Sequence, residues 1–332
     1  MMLLFCISSM TTQTSTPEIT ILFLDKKQAR LEFVKTDYLD QFNDTELNLR
    51  LSFVEKLVHG DRNSRVAELR SVYMDHCLTF NEQEKTTLRS CLLTAEQKVS
   101  SRTKSKLLLP SSYEIKLLKL DSMRAKLDWG YVFTINDTIV LPNNYITELL
   151  AANDLRLYTV TLYHEIIHIR QRNLSAMNCH YRTFGFVYEN IWRFIPIKRS
   201  QILDVPDNIN LITNPDGYNF EWIVKTFDNR TRSDVYFMPC LIYDRAKKIP
   251  VDILIELDPI DASGFYRMTN RCNYMNKVQE YTERFLGLTN QLHHPNEISA
   301  QLLSEYLVNG EILFKDGTYI MRYILSDQSV GI

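Results

Sequence analysis

The chain has 332 residues, with 38 basic and 40 acidic side chains and a formal net charge of −2. This balance excludes the concentrated basic surface that binding to nucleic acid requires. No apolar stretch of the sequence approaches the roughly 20 residues of a transmembrane helix. A chain of this length buries a large core and is expected to divide into two units, with neither nucleic acid nor a membrane as a partner.

The first 18 residues are predicted to form a disordered tail. Their apolar beginning, Met1 to Ser9, resembles a weak signal sequence but has no basic leader. The six cysteines are scattered and form no C-x-x-C pair, which argues against both a cysteine-based structural zinc site and a disulfide framework. An intracellular, cytoplasmic location is therefore expected, and secretion is the alternative.

Residues 19–105 are predicted to form a mainly helical N-terminal region. Periodic apolar positions indicate four helices, at residues 25–38, 45–59, 64–77 and 82–99. Asn81 and Glu84 have the spacing of a capping box for the last of these helices. Residues 19–24 could form a lone strand before them. A basic, serine-rich connector at residues 100–105 marks the expected boundary. Scaffolding is the default role of this region, and a prodomain or a substrate-recruiting module is the alternative.

Strands are predicted after this boundary, in residues 106–332. Residues 113–120 indicate one strand, and residues 131–135 and 138–141 indicate two more. Asn136-Asp137, between the last two strands, suits a tight hairpin turn. Pro142 ends the hairpin, and a helix is expected to carry the chain onward.

The sequence His164-Glu165-Ile166-Ile167-His168 is the most informative part of the chain. It lies in a segment from Leu155 to Arg172 that contains neither glycine nor proline and follows the potential capping residues Asn153 and Asp154. On a helix, the two histidines lie one turn apart on the same face, so both imidazoles can reach one metal ion. The glutamate beside them can act as a general base on a water molecule at that ion. The pattern therefore predicts a zinc site, and two ordinary core or surface histidines are the alternative.

A catalytic zinc site normally has three protein ligands and one open position, so a third ligand is needed. Glu189 follows His168 at nearly the spacing of thermolysin-like enzymes, but it lacks their N-E-x-x-S-D surroundings. Glu297 follows Pro295, and a proline here favours the start of a helix with Glu297 in its first turn. Small residues two and three positions further on would let this helix approach another closely. We therefore expect Glu297 as the third ligand and keep Glu189 as the alternative.

With a late helix reading E-x-x-A far downstream of H-E-x-x-H, the chain resembles gluzincin-type zinc metallopeptidases of the lethal-factor pattern. The resemblance implies that His164, His168 and Glu297 bind Zn²⁺ and that Glu165 is the catalytic base. It also implies an α+β fold with a zincin-like catalytic domain over residues 106–332, in which a small mixed sheet places an edge strand over the metal-binding helix. That edge strand could pair with an extended peptide or protein substrate, although an ordinary sheet edge would need no substrate.

One departure from this family concerns the residue that stabilises the transition state. The lethal-factor-type enzymes have a tyrosine seven residues before the ligand glutamate, where this chain has Asn290. Tyr281, Tyr274 or the pair His293-His294 could take that role, and the sequence selects none of them.

The chain is also similar to uncharacterised H-E-x-x-H proteins of large DNA viruses, over roughly residues 113–305. The similarity is loose over residues 134–141 and close over residues 164–172, and it also includes residues 214–216 and 294–300. Only the metal-binding helix and the late glutamate are specific to it. The similarity implies a viral protein and, as one possibility for its location, association with the virion.

The sequence thus supports a zinc-dependent metallopeptidase that hydrolyses peptide bonds with a zinc-activated water and Glu165 as general base. Gln171 and Arg172, one turn beyond the ligands, are expected to support the site. The alternative is a catalytically silent zincin-fold protein with a structural or interaction role, such as a virion component. Hydrolysis of a non-peptide amide would use the same residues.

Overall fold

The computed structural model of this chain describes residues 18–55, 60–102, 112–122, 128–173, 193–197, 201–203, 211–213, 221–228, 232–260, 264–274 and 295–310. Within these residues the chain has a mixed α+β architecture with seven α-helices and two β-sheets. None of the helices in this part of the chain is long and apolar enough to cross a membrane.

The elements are numbered in chain order. The helices are α1 (Lys26–Lys35), α2 (Asp44–Phe53), α3 (Arg62–Asp75), α4 (Glu82–Arg102), α5 (Asn143–Ala151), α6 (Arg156–Asn173) and α7 (Pro295–Ser304). The strands are β1 (Glu18–Phe23), β2 (Cys77–Leu78), β3 (Ser112–Leu120), β4 (Phe133–Ile135), β5 (Thr138–Pro142), β6 (Arg193–Ile197), β7 (Ile202–Leu203), β8 (Leu211–Ile212), β9 (Glu221–Asp228), β10 (Ser233–Asp244), β11 (Ile249–Pro259) and β12 (Tyr266–Tyr274).

The four predicted N-terminal helices are confirmed as α1 to α4. Asn81 Oδ1 accepts the Glu84 backbone N–H at 2.9 Å and Glu84 Oε2 accepts the Asn81 backbone N–H at 2.9 Å, which is the capping box expected before α4. Glu84 also accepts a hydrogen bond from Lys119 Nζ of β3 at 2.7 Å, so the cap attaches α4 to the sheet. The expected boundary at residues 100–105 lies partly outside the described residues, because residues 103–111 are not described. The division into two units stays a prediction.

Sheet A has five strands in the order β1-β3-β5-β4, with β2 paired to the end of β3. β1, β3 and β5 are parallel to one another, whereas β2 and β4 are antiparallel to their neighbours. The hairpin between β4 and β5 turns at Asn136-Asp137 as predicted, and Asn136 has the positive φ of 51° that such a tight turn needs. The strand expected to stand alone, β1, instead pairs along β3. Residues on both sides of the expected boundary therefore build one sheet.

Helices cover both faces of sheet A, because its strands are apolar on both sides. Alternate residues of a strand face opposite sides of the sheet. Leu118 and Val140 pack with the apolar residues of α1, α2 and α3. Their sequence neighbours Leu117 and Ile139 pack with those of α4, α5 and α6. The helix that carries the histidine pair is thus seated on the second face of the sheet.

A second sheet, sheet B, departs from the expectation of one small mixed sheet. Its strands run in the order β6-β9-β10-β11-β12-β7, with β8 paired to β10, and only β12 and β7 are parallel. Val224 and Leu254 join the apolar cluster that contains α6 and α7. Met238 and Ile255 belong to a separate cluster of sheet B. Sheet B therefore contributes directly to the core around the histidine-bearing helix.

A buried ionic network ties the N-terminal helices to both sheets. Arg50 of α2 donates to Asp128 Oδ1, shortly before β4, at 2.6 Å and to Glu46 Oε1 at 2.9 Å. Tyr73 of α3 donates to the other Asp128 oxygen at 2.7 Å, and the Thr213 backbone N–H beside β8 donates to Glu46 Oε2 at 2.9 Å. Each of these buried charges has several partners, which is the condition under which buried ions are retained.

Another buried acid, Glu96 of α4, lacks such partners. It lies near Tyr163 and Arg170 of α6, and neither of its carboxylate oxygens has a hydrogen-bond partner among the described residues. Burial raises the pKa of Glu96 from 4.5 to about 7, and the positive charge of Arg170 opposes this rise only in part. The folded protein therefore holds a proton at pH values where the unfolded chain releases it. Stability falls as the pH rises from the unfolded pKa to the folded one.

Glu96→Gln should stabilise the protein above pH 7 and leave its stability unchanged below about pH 4.5, because glutamine resembles the protonated acid and cannot ionise. The expected gain is about 3 kcal/mol at about pH 8, because the pKa of Glu96 rises from 4.5 to about 7 on folding. Urea unfolding of parent and variant across this pH range measures the gain, with Glu148→Gln on the exposed side of α5 as the control. An equal gain at both ends of the range would contradict the raised pKa.

Candidate metal centre

The helix predicted to carry the histidine pair is present as α6, displaced by one residue from the expected ends. Asp154, one of the two expected caps, accepts the first backbone N–H of the helix at 2.9 Å. Between residues 160 and 169 the helix is buried on nearly all sides, so its polar side chains depend on protein partners. His164, His168 and Gln171 share one face of this helix.

The other half of the site comes from α7. This helix begins at Pro295, as predicted, and carries Glu297 in its first turn. Ser299 and Ala300 are fully buried, and their small side chains allow α7 to pack directly against α6. Ile298 joins the apolar cluster of α4 and α6. This packing brings the first turn of α7 beside the histidines.

Three side chains from these two helices converge at one point. His164 Nε2 and His168 Nε2 are 2.8 Å apart, and Glu297 Oε2 lies 3.1 Å from each of them. All three side chains are at most 5% exposed. The structure brings Glu297 to the histidine pair, although His164 and Glu297 are 133 positions apart in the chain. That Glu297 is a metal ligand stays a prediction.

The three donor atoms, hereafter the triad, fit a single metal ion. Two imidazole nitrogens and one carboxylate oxygen form a donor set that suits zinc. A tetrahedral zinc ion with bonds of about 2.0–2.1 Å holds its donors about 3.3 Å apart. The observed separations are slightly shorter, so small rotations of the two rings and the carboxylate are enough to admit an ion. The triad could therefore hold a metal ion.

Electrostatics keep Glu297 in the form that binds metals. Burial alone raises the pKa of its carboxyl group, but the positive charge of His168 and hydrogen bonds from both histidines outweigh it. The pKa of Glu297 therefore lies well below its ordinary value. A buried carboxylate that stays ionised needs a positive charge nearby, and a divalent cation supplies a larger one than an imidazolium. The surroundings of Glu297 thus favour a cation.

Gln171 connects the two helices next to the triad. Its Oε1 lies 2.8 Å from His168 Nδ1, while its Nε2 donates to the Asn296 carbonyl oxygen at 3.1 Å and to Ser299 Oγ at 2.9 Å. The sequence predicts a supporting role for Gln171 but does not indicate which groups it contacts. Its partners on α7 lie 125 and 128 positions further along the chain, beyond the reach of any local pattern.

Arg172, the other predicted supporting residue, holds the end of α6 against the β4–β5 hairpin. Its guanidinium donates to the carbonyl oxygens of Asn136 at 2.9 Å and Thr134 at 3.3 Å, and also to the Thr134 hydroxyl. β4 is the outer strand of sheet A. An added peptide strand would compete with Arg172 for these carbonyl groups. The contact therefore favours an ordinary sheet edge over a substrate-binding strand at this end of β4.

Glu165 lies between the two histidines in sequence and is also buried. Tyr145 of α5 lies close to Glu165. Burial raises the pKa of the Tyr145 hydroxyl, and electrostatic interactions with Cys91 and Glu165 raise it further, so this hydroxyl stays neutral. Tyr145 Oη donates to the Tyr158 carbonyl oxygen at 2.8 Å near the start of α6. The catalytic role of Glu165 stays a prediction.

Several residues named from the sequence lie outside the described residues. These are the alternative ligand Glu189, residues 214–216 of the similarity to viral proteins, Tyr281, Asn290 and the pair His293-His294. Tyr274 ends β12, where only the backbone is described. The group that would stabilise a transition state is therefore left unassigned.

Comparison of the chain with protein-family models, with curated proteins and with solved structures finds no match. The interpretation of the triad therefore depends on its geometry and chemistry.

Glu297→Gln should weaken zinc binding at least ~100-fold, because an uncharged amide replaces the one anionic donor of the triad. Competition with a chromophoric chelator measures the affinity, and circular dichroism checks that the fold is retained. Glu148→Gln, on the exposed side of α5, is the matched control and should bind zinc like the parent. A larger loss in Glu189→Gln than in Glu297→Gln would move the third ligand to Glu189.

Proposed function

We propose that this chain is a zinc-dependent metallopeptidase, in which His164, His168 and Glu297 bind the zinc ion and Glu165 is the general base. The observation that carries the proposal is the buried convergence of the two histidines of α6 with Glu297 of α7. Two imidazole nitrogens and a carboxylate oxygen that converge in a buried place form a donor set for one metal ion.

The number and type of donors favour a catalytic over a structural metal site. Structural zinc sites are usually closed by four protein ligands, most often with cysteine among them, whereas catalytic sites have three protein ligands and one position for water or substrate. Among the described residues, the triad offers two imidazoles and one carboxylate, and no cysteine belongs to it. This is one of the donor sets used for catalysis.

When bound, zinc supplies a Lewis acid that lowers the pKa of a water molecule towards about 7 and polarises a carbonyl group. Glu165 follows His164 directly on α6, so the base and two ligands share one rigid element. Its carboxylate accepts the proton of the attacking water and then passes that proton to the leaving amine. The Glu297 carboxylate balances part of the positive charge. Peptide bonds are the proposed substrate class because a base adjacent to two helical histidines is the motif of zinc-dependent peptide hydrolysis.

Glu165 distinguishes this proposal from a structural or interaction role. A metal site that only stabilises the fold does not need a base beside its ligands. A carboxyl group that is 3% exposed also carries a desolvation cost, which is common at positions selected for chemistry.

Glu165→Gln should retain zinc and lower peptide hydrolysis at least ~100-fold, because the variant lacks the proton acceptor but keeps all three ligands. Elemental mass spectrometry measures the metal content, with about one zinc per chain expected in parent and variant. Hydrolysis is measured as new peptide termini, by mass spectrometry, in a mixture of peptides from digested proteins. Glu148→Gln is again the matched control.

Two outcomes would contradict this assignment. Parental hydrolysis by Glu165→Gln would exclude Glu165 as the base. One zinc per chain without hydrolysis of any peptide by the parent would favour the catalytically silent alternative, in which the fold serves a structural or interaction role.

A further inference from the structure

Gln171 makes three polar contacts where α6 meets α7. Its amide group faces His168 Nδ1 on one side and the Asn296 carbonyl oxygen and Ser299 Oγ on the other. Ser299 Oγ itself donates to the same Asn296 carbonyl oxygen at 3.0 Å. All four residues are fully buried, so bulk water does not compete for these hydrogen bonds.

The surroundings determine which way the Gln171 amide points. A carbonyl oxygen only accepts, so the group that faces the Asn296 carbonyl must be the amide nitrogen, and the amide oxygen must face His168. An amide oxygen also only accepts, so His168 Nδ1 must carry the hydrogen of this contact. In the metal-free centre, where a positively charged His168 donates to Glu297, Nε2 also carries a hydrogen, and this is the proton that a metal ion would replace. Once that proton has left, the imidazole is neutral and Nε2 has a lone pair and no hydrogen. That nitrogen faces His164 and Glu297.

The same amide group fixes the second helix. Asn296 directly precedes Glu297, and Ser299 lies on the next turn of α7. The two hydrogen bonds from Gln171 therefore hold the backbone beside Glu297 at a set distance from α6. One side chain thus acts on two of the three donors, through the ring of His168 and through the backbone next to Glu297.

We propose that Gln171 is the positioning residue of the metal centre: it selects the metal-binding tautomer of His168 and holds α7 so that Glu297 meets the same ion. The proposal rests on the metal centre proposed above and not on peptide hydrolysis. Because Gln171 is not itself a donor of the triad, its replacement weakens the site while all three donors remain.

Three variants separate the two actions of Gln171. Gln171→Met keeps the length of the side chain and removes both contacts. Gln171→Glu keeps an acceptor for His168 but loses the donors to α7. Ser299→Ala removes one contact with α7 and leaves the contact with His168. Gln301→Met is the matched control, since Gln301 lies on α7 and bonds to Glu305 instead of the triad.

Zinc affinity, measured by chelator competition, should fall about 10- to 100-fold in Gln171→Met, less in Gln171→Glu and at most about threefold in Ser299→Ala. Gln301→Met should bind zinc like the parent. Nitrogen-15 NMR gives a second readout. At a pH where the ring of metal-free His168 is neutral, its hydrogen should lie on Nδ1 in the parent, and this preference should be lost in Gln171→Met. A merely structural role would lower thermal stability without changing the tautomer.

Two results would overturn the proposal and leave the metal centre in place. One is a folded Gln171→Met variant that binds zinc as tightly as the parent. The other is a parent in which neutral His168 carries its hydrogen on Nε2. The NMR measurement on the parent applies even where Gln171→Met does not fold. A parent that binds no zinc would overturn the metal centre and this proposal with it. Zinc binding that depends on Gln171, without peptide hydrolysis, would support this proposal and overturn only the proposed function.

Discussion

The burial of α6 on nearly all sides is the constraint on which the rest of the described structure depends. A buried helix must satisfy its polar side chains with protein partners. Three side chains of α6 contact different neighbours: Gln171 bonds to α7, Arg172 bonds to the β4–β5 hairpin, and the Arg170 guanidinium lies 4.0 Å from the centre of the Tyr113 ring in β3. Rotation of the helix would break contacts on three sides at once. The direction in which the histidine pair points is therefore fixed by the surrounding core.

Two buried clusters in this protein balance the negative charge of a carboxylate in different ways. In the N-terminal network, Asp128 is balanced by the guanidinium of Arg50, a permanent charge, which makes that cluster a structural one. In the triad, Glu297 faces imidazoles whose positive charge depends on a bound proton. A metal ion can replace that proton, so metal binding is coupled to proton release. The exchangeable positive charge is what makes the triad suitable for chemistry.

Local patterns were sufficient for the helices and for both halves of the site. The spacing of His164 and His168 indicates a shared helix face, and Pro295 followed by small residues indicates the start of the helix that carries Glu297. Sheet B was not predicted. β10 is partly buried on both faces and lacks a clean alternation of polar and apolar residues, whereas residues 251–258 of β11 do alternate, apart from Leu254, and this signal was missed. The pairing of β1 with β3 and the contacts of Gln171 with α7 join residues far apart in the chain, which local patterns do not report.

The distance between the donors along the chain has a consequence for how the protein matures. His164 and Glu297 are 133 positions apart, and β1 must find β3 across four intervening helices. Contacts of such long range form slowly, because the entropy of a long loop has to be lost first. A chain in which α7 has not docked lacks the Glu297 carboxylate beside the histidine pair. The proposed hydrolytic activity would therefore arise only after α7 has docked, and an incompletely folded chain would be unable to cut itself or its neighbours.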